Sequence, residues 1–189
     1  MSLPNILLGM LATPASGYDL KQRFENQERH YWSANLAQIY PTLKRMEHDG
    51  LLESREEPSD KGPPRKVYRR TRAGIDALTQ WLQRGPEVHS DRLSWLAQVG
   101  YLAHLPAKQQ RDFMVKLHDE FVRHRRELEG LEAHWAAHDP RFPDALPDPE
   151  LFAHFTLRLG LTKYATIVEW CEECLERLDR RDAKSAASG

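Results

Sequence analysis

The sequence predicts a mainly α-helical protein with one small β-ribbon. It divides into an N-terminal domain that holds the ribbon and an all-helical C-terminal domain. An amphipathic helical stretch begins after Asn35 and ends at a glycine, Gly50. Two strand-like runs follow, joined by a loop rich in proline and glycine. Beyond Ser90, apolar residues recur every three or four positions, which is the helical period. At 189 residues the chain can form two modest domains, which we place at residues 1–85 and 86–181.

The first two predicted helices are short and support the third. We expect the first helix over Leu3–Ala12 and a break at Gly17. The second should cover Tyr18–Asn26, with Leu20 and Phe24 four residues apart on its buried side. The inward residues of the first helix are Leu7, Leu8 and Leu11.

The third helix has two chemically distinct faces. At 100° per residue, the apolar face consists of Leu36, Ile39, Leu43 and Met46. The opposite face is cationic and amide-bearing, and it consists of Ala37, Gln38, Pro41, Lys44 and Arg45. Ser33 or Asn35 is suited to cap the helix N-terminus. Pro41 removes one backbone hydrogen bond, so the helix either begins late or bends there.

A basic β-ribbon follows the third helix. Leu51 begins an extended run, and the chain returns as a second strand over Arg65–Thr71. From residue 61 to residue 72 there are six Lys or Arg residues and no carboxylate. A basic ribbon beside a basic helix suits the phosphate backbone of a duplex. This order of elements therefore predicts a winged helix-turn-helix.

Two further helices are predicted after the ribbon. Thr71 should cap a fourth helix that ends near Gly85–Pro86, and Ser90 should cap a fifth that stops at Pro106. The inward stripe of the fourth helix is Ile75, Leu78 and Leu82. The inward stripe of the fifth is Leu93, Leu96, Val99 and Leu102.

Two long helices with coiled-coil spacing close the chain, separated by a proline-rich connector over Asp139–Pro149. The seam of the first is Phe113, Leu117, Phe121, His124, Leu128, Leu131 and Trp135. The seam of the second is Leu157, Leu161, Tyr164, Val168, Cys171, Leu175 and Leu178. Because the two helices carry more apolar surface than one hairpin can bury, we assign the second seam to dimerisation. Residues 182–189 are polar and small, and we expect a disordered tail.

Charge and composition narrow the class of protein. The net charge of −1 hides a front half (1–84) of +3 and a back half (85–189) of −4, an imbalance that random scatter also produces. No apolar stretch reaches the roughly 20 residues of a membrane span, and no signal peptide is visible. The two cysteines are too few for a disulfide framework. We therefore expect a cytoplasmic protein.

The candidate DNA-binding residues lie on the third helix and on the ribbon. Cationic and amide groups of the helix can pair with bases or phosphates, whereas cations of the ribbon should contact phosphates. Asn35 is also a candidate cap, and Tyr40 lies between the two faces, where either a core position or a phosphate contact is open to it. The full set is Asn35, Gln38, Tyr40, Lys44, Arg45, Lys61, Arg65, Lys66 and Arg69.

Other chemistry has weaker support in the sequence. His134 and His138, with Asp139 or His154, could hold a metal, but no HExxH-type pattern is present and we expect no metal or other cofactor. Cys171 and Cys174 are better explained as buried small hydrophobes than as ligands. No catalytic motif is visible, so an enzyme is not expected. The aromatic side chains that could line an effector pocket at the dimer centre are Trp81, Trp95, Tyr101 and Trp135.

Three stretches resemble the signatures of the PadR-family transcriptional regulators, namely Gly17–Leu20, Ile39–Leu51 and Arg65–Gly74. Residues 157–161 and 169–173 are similar to the helical C-terminal domain of the longer, virulence-activator-like branch. Two residues depart from the family pattern: Arg70 stands at a usually aliphatic position, and Arg72 where an acidic residue or proline is usual. We expect Arg70 either to reach solvent or to contact phosphate.

A twofold dimer places two recognition helices one turn apart, which predicts an inverted-repeat operator. The resemblance implies that this homodimer is a DNA-binding transcriptional regulator, and we expect a repressor. It also implies that a small aromatic effector could act through the C-terminal helices and change the spacing of the recognition helices. The alternative is a winged-helix adaptor that binds an acidic protein instead of specific DNA. Salt-dependent binding to promoter DNA distinguishes the two.

Overall fold

The computed structural model describes residues 3–25, 31–32, 34–59, 62–88 and 93–187. The chain forms two compact units, Met1–Ser90 and Asp91–Gly189. The elements of the first unit are α1 (Leu3–Met10), β1 (Ala15–Ser16), α2 (Gly17–Arg23), α3 (Leu36–His48), β2 (Leu52–Ser59), β3 (Gly62–Arg70) and α4 (Arg72–Gln83). The elements of the second are α5 (Ser94–Gly100), a short 3-10 turn (Leu102–His104), α6 (Ala107–His138) and α7 (Asp148–Ala187).

The first unit is a winged helix with one apolar core, as the sequence predicts. Strands β2 and β3 form the ribbon, and β1 pairs with the other edge of β3, so the antiparallel sheet has the order β1-β3-β2. The core is formed by Leu7, Leu8, Leu11, Ala15, Leu20, Phe24, Ile39, Leu43, Met46, Leu52 and Tyr68. Burying each large member stabilises the fold by about 1.5–3 kcal/mol.

Local hydrogen bonds and one glycine fix where α2 begins and where α3 ends. Ser16 and Asp19 form a capping box, so Gly17 is the first residue of α2 and not only the break before it. Just after the C-terminal end of α3, Gly50 has a φ of +72°, which glycine adopts without strain. The Leu51 N–H then donates to the Met46 carbonyl at 2.9 Å, which ends the helix and aims the chain into β2.

Proline at position 41 does not delay the start of α3. The helix begins at Leu36, directly after its N-cap Asn35, and Pro41 lies within it. Ile39, Leu43 and Met46 are buried, and the five residues predicted for the opposite face are all exposed. The predicted orientation of this helix is therefore confirmed.

Helix α4 is rotated relative to the prediction. Gly74 is its buried residue, and a Cβ there would lie 2.2 Å from the Leu51 carbonyl oxygen. This close approach turns the side of the helix with Gly74, Ala77 and Leu78 inward. Ile75 and Leu82, predicted to be buried, are consequently exposed.

The C-terminal unit is a hairpin of α6 and α7 with α5 packed on it. In α5 the inward side chains include Trp95 and Val99, whereas Leu96 is exposed, contrary to the predicted stripe. The proposed cap, Ser90, lies outside the described residues, and the N-cap of α5 is Leu93. The buried residues of the hairpin are Met114, Leu117, Phe121, Leu128, Leu157, Leu161, Tyr164, Val168 and Cys171.

This packing gives the seam of α7, assigned above to dimerisation, a role within the chain. Five of its seven residues, from Leu157 to Cys171, are buried within the chain, and Leu175 and Leu178 also pack against this core. The two seams satisfy each other, because α6 and α7 are antiparallel neighbours in one hairpin. The five buried seam residues therefore have little surface left to contact a second copy of the chain.

Helix α7 is also longer than predicted. It continues to Ala187, through residues expected to form a disordered tail. Residues 182–187 include Ala183, Lys184 and Ala186, which have high helix propensity and extend a helix that is already nucleated. Among the described helices, none is long and apolar enough to cross a membrane.

Candidate nucleic-acid interface

The exposed face of α3 presents two cations. Lys44 and Arg45 lie on the side of the helix opposite the buried Leu43 and Met46, and both are exposed. Neither side chain forms an ion pair with another residue in the described part of the chain. Their charge is therefore available for a phosphate or for the acceptor edge of guanine.

The two amide residues at the start of α3 bond to each other. The Gln38 N–H donates to Asn35 Oδ1 at 3.0 Å, and the Asn35 N–H donates to Gln38 Oε1 at 3.1 Å. This capping box satisfies two backbone groups at the helix N-terminus. The side-chain oxygen of Gln38, Oε1, thus already accepts a hydrogen bond. Its Nε2 donors remain as the side-chain groups that can contact a base.

Tyr40 lies at the edge of the exposed face of α3. Its ring packs against the backbone of Gly17, where an added Cβ would lie 2.5 Å from the Tyr40 ring. The side chain is still 45% exposed, and its hydroxyl has no hydrogen-bond partner among the described residues. The arrangement leaves the hydroxyl free to donate to a phosphate.

On one face of the ribbon, the cations are matched by carboxylates of the neighbouring strand. Arg69 lies opposite Glu53 and Arg65 opposite Glu57 in the register of β2 and β3. The ion pairs measure 2.9 Å for Arg69–Glu53 and 3.4 Å for Arg65–Glu57. Glu57 also pairs with Arg55 at 2.7 Å, and Arg65 lies 3.8 Å from Asp19. Three arginines thus meet three carboxylates, so the charge on this face is close to neutral.

Lys66 lies on the other face of the ribbon and is matched from the recognition helix. Its Nζ donates to Glu47 Oε2 at 2.7 Å, and Ser54 Oγ donates to Glu47 Oε1. The hydrogen bond to Glu47 raises the pKa of Lys66. The bonds from Lys66 and Ser54 lower the pKa of Glu47. The pair is therefore fully charged near neutral pH.

Of three more cations near the ribbon, two have partners within the protein and the third lies outside the described residues. Arg70 reaches back to the first helix, where its Nη1 donates to the Leu8 carbonyl at 3.3 Å near the C-terminal end of α1. Arg72 pairs with Asp76 within α4. Lys61 lies outside the described residues.

The structure thus revises the simple picture of a basic ribbon. Arg65 and Arg69 point to one face and Lys66 to the other, and all three have carboxylate partners. Sequence reasoning missed those partners, foremost Glu47. A signal was present, because a glutamate in the last turn of a helix opposes the helix dipole and calls for a cation nearby.

The histidines and cysteines considered as metal ligands lie in the C-terminal unit. His134 and His138 stack at 4.1 Å, and His154 lies beside Glu132. No group of metal-ligating side chains occurs in the part of the chain that the structure describes. Burial raises the pKa of Cys171 to about 11, as for a buried thiol.

Of the four aromatic residues predicted to line an effector pocket, the three in the C-terminal unit lie apart from one another. Trp95 packs on Phe121, with ring centroids 5.2 Å apart, whereas Trp135 packs near Phe142 at the turn between α6 and α7. Tyr101 is exposed, and Trp81 belongs to the N-terminal unit.

Two family models match the chain in sequence. Residues 6–80 match the transcriptional regulator PadR-like family, and residues 92–179 match the virulence activator alpha C-terminal domain. The negative transcriptional regulator PadR of Bacillus subtilis is 26% identical over 182 residues, which cover 92% of this chain and 96% of that protein.

Solved structures agree with these matches. The crystal structure of Bacillus subtilis PadR in complex with operator DNA has a TM-score of 0.79 at 25% identity, covering 93% of this chain and 97% of that one. The Vibrio cholerae virulence activator AphA has a TM-score of 0.72 at 25% identity, covering 95% and 99%. Both units of the chain therefore have structural counterparts in these proteins, in the same order along the sequence.

Proposed function

Because the chain belongs to the PadR-like family of transcriptional regulators, we propose that it binds a specific inverted-repeat operator as a homodimer and represses transcription. One observation carries the proposal. Lys44 and Arg45 are exposed on the face of α3 that the winged-helix fold presents to the major groove, and neither forms an ion pair with any residue that the structure describes. The similarity to a repressor solved with its operator supports the same surface.

The recognition residues divide by role. Lys44, Arg45 and the Nε2 group of Gln38 are the base- and phosphate-contacting groups of the helix, with Tyr40 at its edge. Asn35 acts indirectly, because its side chain caps the helix. The ribbon cations Arg65, Lys66 and Arg69 position the wing through their carboxylate partners and contribute little unmatched charge.

The exposed apolar face of α7 supports the homodimer. Phe152, Phe155 and Leu159 follow one another at helical spacing and are 61%, 55% and 70% exposed. Exposed apolar patches of this kind mark interfaces in soluble proteins. We therefore assign dimerisation through α7 to this face, since the predicted seam is used within the chain.

An aromatic cluster supports a site for a small aromatic effector. Trp95 of α5 lies within 6.0 Å of Trp170, and Phe121 lies 5.8 Å from Tyr164, measured between ring centroids. A planar ligand that displaced Trp95 would stack on the same rings. Such a displacement moves α5, the first helix after the DNA-binding unit, and it would alter the spacing of the recognition helices.

Binding to promoter DNA tests the proposal. Duplexes from upstream of its own and neighbouring genes are titrated with the protein, with shuffled duplexes of equal length as the comparison. We expect one promoter to bind at least 10³-fold more tightly than shuffled DNA. The Lys44→Gln/Arg45→Gln variant should lose this preference. Equal binding to every duplex would favour the protein-interaction adaptor instead.

A further inference from the structure

We infer that Glu47 is a positioning residue. It holds the ammonium group of Lys66, from β3, against the recognition helix α3 and thereby limits sequence-independent binding to DNA. The inference rests on the proposed DNA-binding function and adds a determinant of specificity to it. Glu47 is acidic, although it lies beside the cationic residues of α3 that we propose bind DNA.

The geometry ties three elements together at one carboxylate. Glu47 is the penultimate residue of α3, and its two oxygens accept from Lys66 of β3 at 2.7 Å and from Ser54 of β2. Ser54 is the register partner of Tyr68, two residues from Lys66 along β3. The helix that reads DNA and both strands of the wing are therefore fixed to one another.

Lys66 is held on a second side by an aromatic ring. Its Nζ lies 5.3 Å from the centroid of Tyr68, a buried member of the core. The ammonium group is thus directed back toward the body of the domain. At this position a carboxylate is disfavoured by the C-terminal end of the helix dipole, and the contacts with Lys66 and Ser54 offset that cost.

The consequence concerns where positive charge is left free. Sequence-independent affinity comes from cations that release the counterions of phosphates, and specificity is the ratio of operator to random binding. A Lys66 already matched by Glu47 releases few counterions. Unmatched charge then remains on Lys44 and Arg45, on the same helix where bases are read.

The experiment is a double-mutant cycle of Glu47→Gln and Lys66→Gln, in the full chain, on operator and random duplexes at 50–300 mM salt. Glutamine at position 47 can still accept from Ser54, so the fold is retained and only the charge is lost. Glu173→Gln is the matched control, because it removes a carboxylate from an ion pair with Arg177 in α7, within the other unit.

We expect Glu47→Gln to steepen the salt slope by about 0.9 per half-site, to raise random-DNA affinity and to lower the operator-to-random ratio. The double variant should return both quantities to wild-type values, and Glu173→Gln should change neither. A Glu47→Gln slope equal to that of the wild type, or an increase that persists with Lys66→Gln, would overturn the inference while leaving the proposed function intact. A wild type with no operator preference would overturn both.

Discussion

Replacing Arg45 should have a larger effect on DNA binding than removing a whole ion pair from the wing. Arg45 is exposed on α3 and has no ion-pair partner within the described part of the chain, whereas Arg69 is 2.9 Å from Glu53. The perturbations are Arg45→Gln on one side and the charge-neutral double variant Glu53→Gln/Arg69→Gln on the other. Both leave the apolar core of the domain untouched.

The magnitude follows from counterion release. Each phosphate contact contributes about −0.9 to the slope of log affinity against log salt, so the two copies of Arg45 in a dimer contribute about −1.8. Between 50 and 200 mM salt, the Arg45→Gln protein should therefore lose about 12-fold less affinity than the wild type. The double variant removes no net charge and should keep the wild-type slope.

Fluorescence anisotropy of one labelled operator duplex, titrated at four salt concentrations, measures all three slopes. Thermal unfolding of each variant serves as the control for folding. If the wing pair proves to contribute as much to the slope as Arg45, the carboxylates do not neutralise the wing, and the distinction between matched and unmatched cations is wrong.

Three other predictions concern assembly, packing and pH. Phe155→Glu places a charge on the exposed face of α7 and should shift the protein from dimer to monomer in sedimentation. Ala153→Glu is the control and should leave the dimer intact, because Ala153 is exposed but lies about 100° or more around the helix from Phe152, Phe155 and Leu159. Leu43→Ala empties a fully buried position and should lower the free energy of unfolding by about 2–5 kcal/mol in urea titrations. Because the pKa of Glu47 is lowered on folding, its stabilising contribution of roughly 0.2–1 kcal/mol is present above the ordinary value of 4.5 and is lost as the pH falls through the folded value. The stability difference between wild type and Glu47→Gln should therefore be constant from pH 6 to 8 and shrink below pH 4.5; a difference that grew on acidification would contradict this sign.

The parts of the fold that depend on local sequence could be predicted. The apolar period of α3, the glycine at position 50 and the basic second strand are signals within a few residues, and the structure has the expected helix, turn and ribbon. The rotation of α4 could not be predicted, because it depends on the close approach of Gly74 to Leu51, which are distant in sequence.

The same limit applies to the candidate site. The exposed cations of α3 follow from helical periodicity, whereas the pairing of Lys66 with Glu47 joins residues 19 apart and requires the strand register and the helix position together. The seam of α7 was correctly seen as apolar. The surface that it packs against could not be predicted, because spacing alone does not show whether a stripe packs against its own chain or against a second copy.

The salt dependence of wild-type binding to its operator tests the account most directly. Four unmatched cations, Lys44 and Arg45 in each of two copies, predict a slope of about −3.6, or about −5.4 if Lys61 also contacts a phosphate. If Arg65, Lys66 and Arg69 contacted phosphates as free cations as well, the slope from the ten described cations would be about −9. A measured slope between −3 and −6 supports a wing whose charge is balanced within the protein, and a slope near −9 contradicts it.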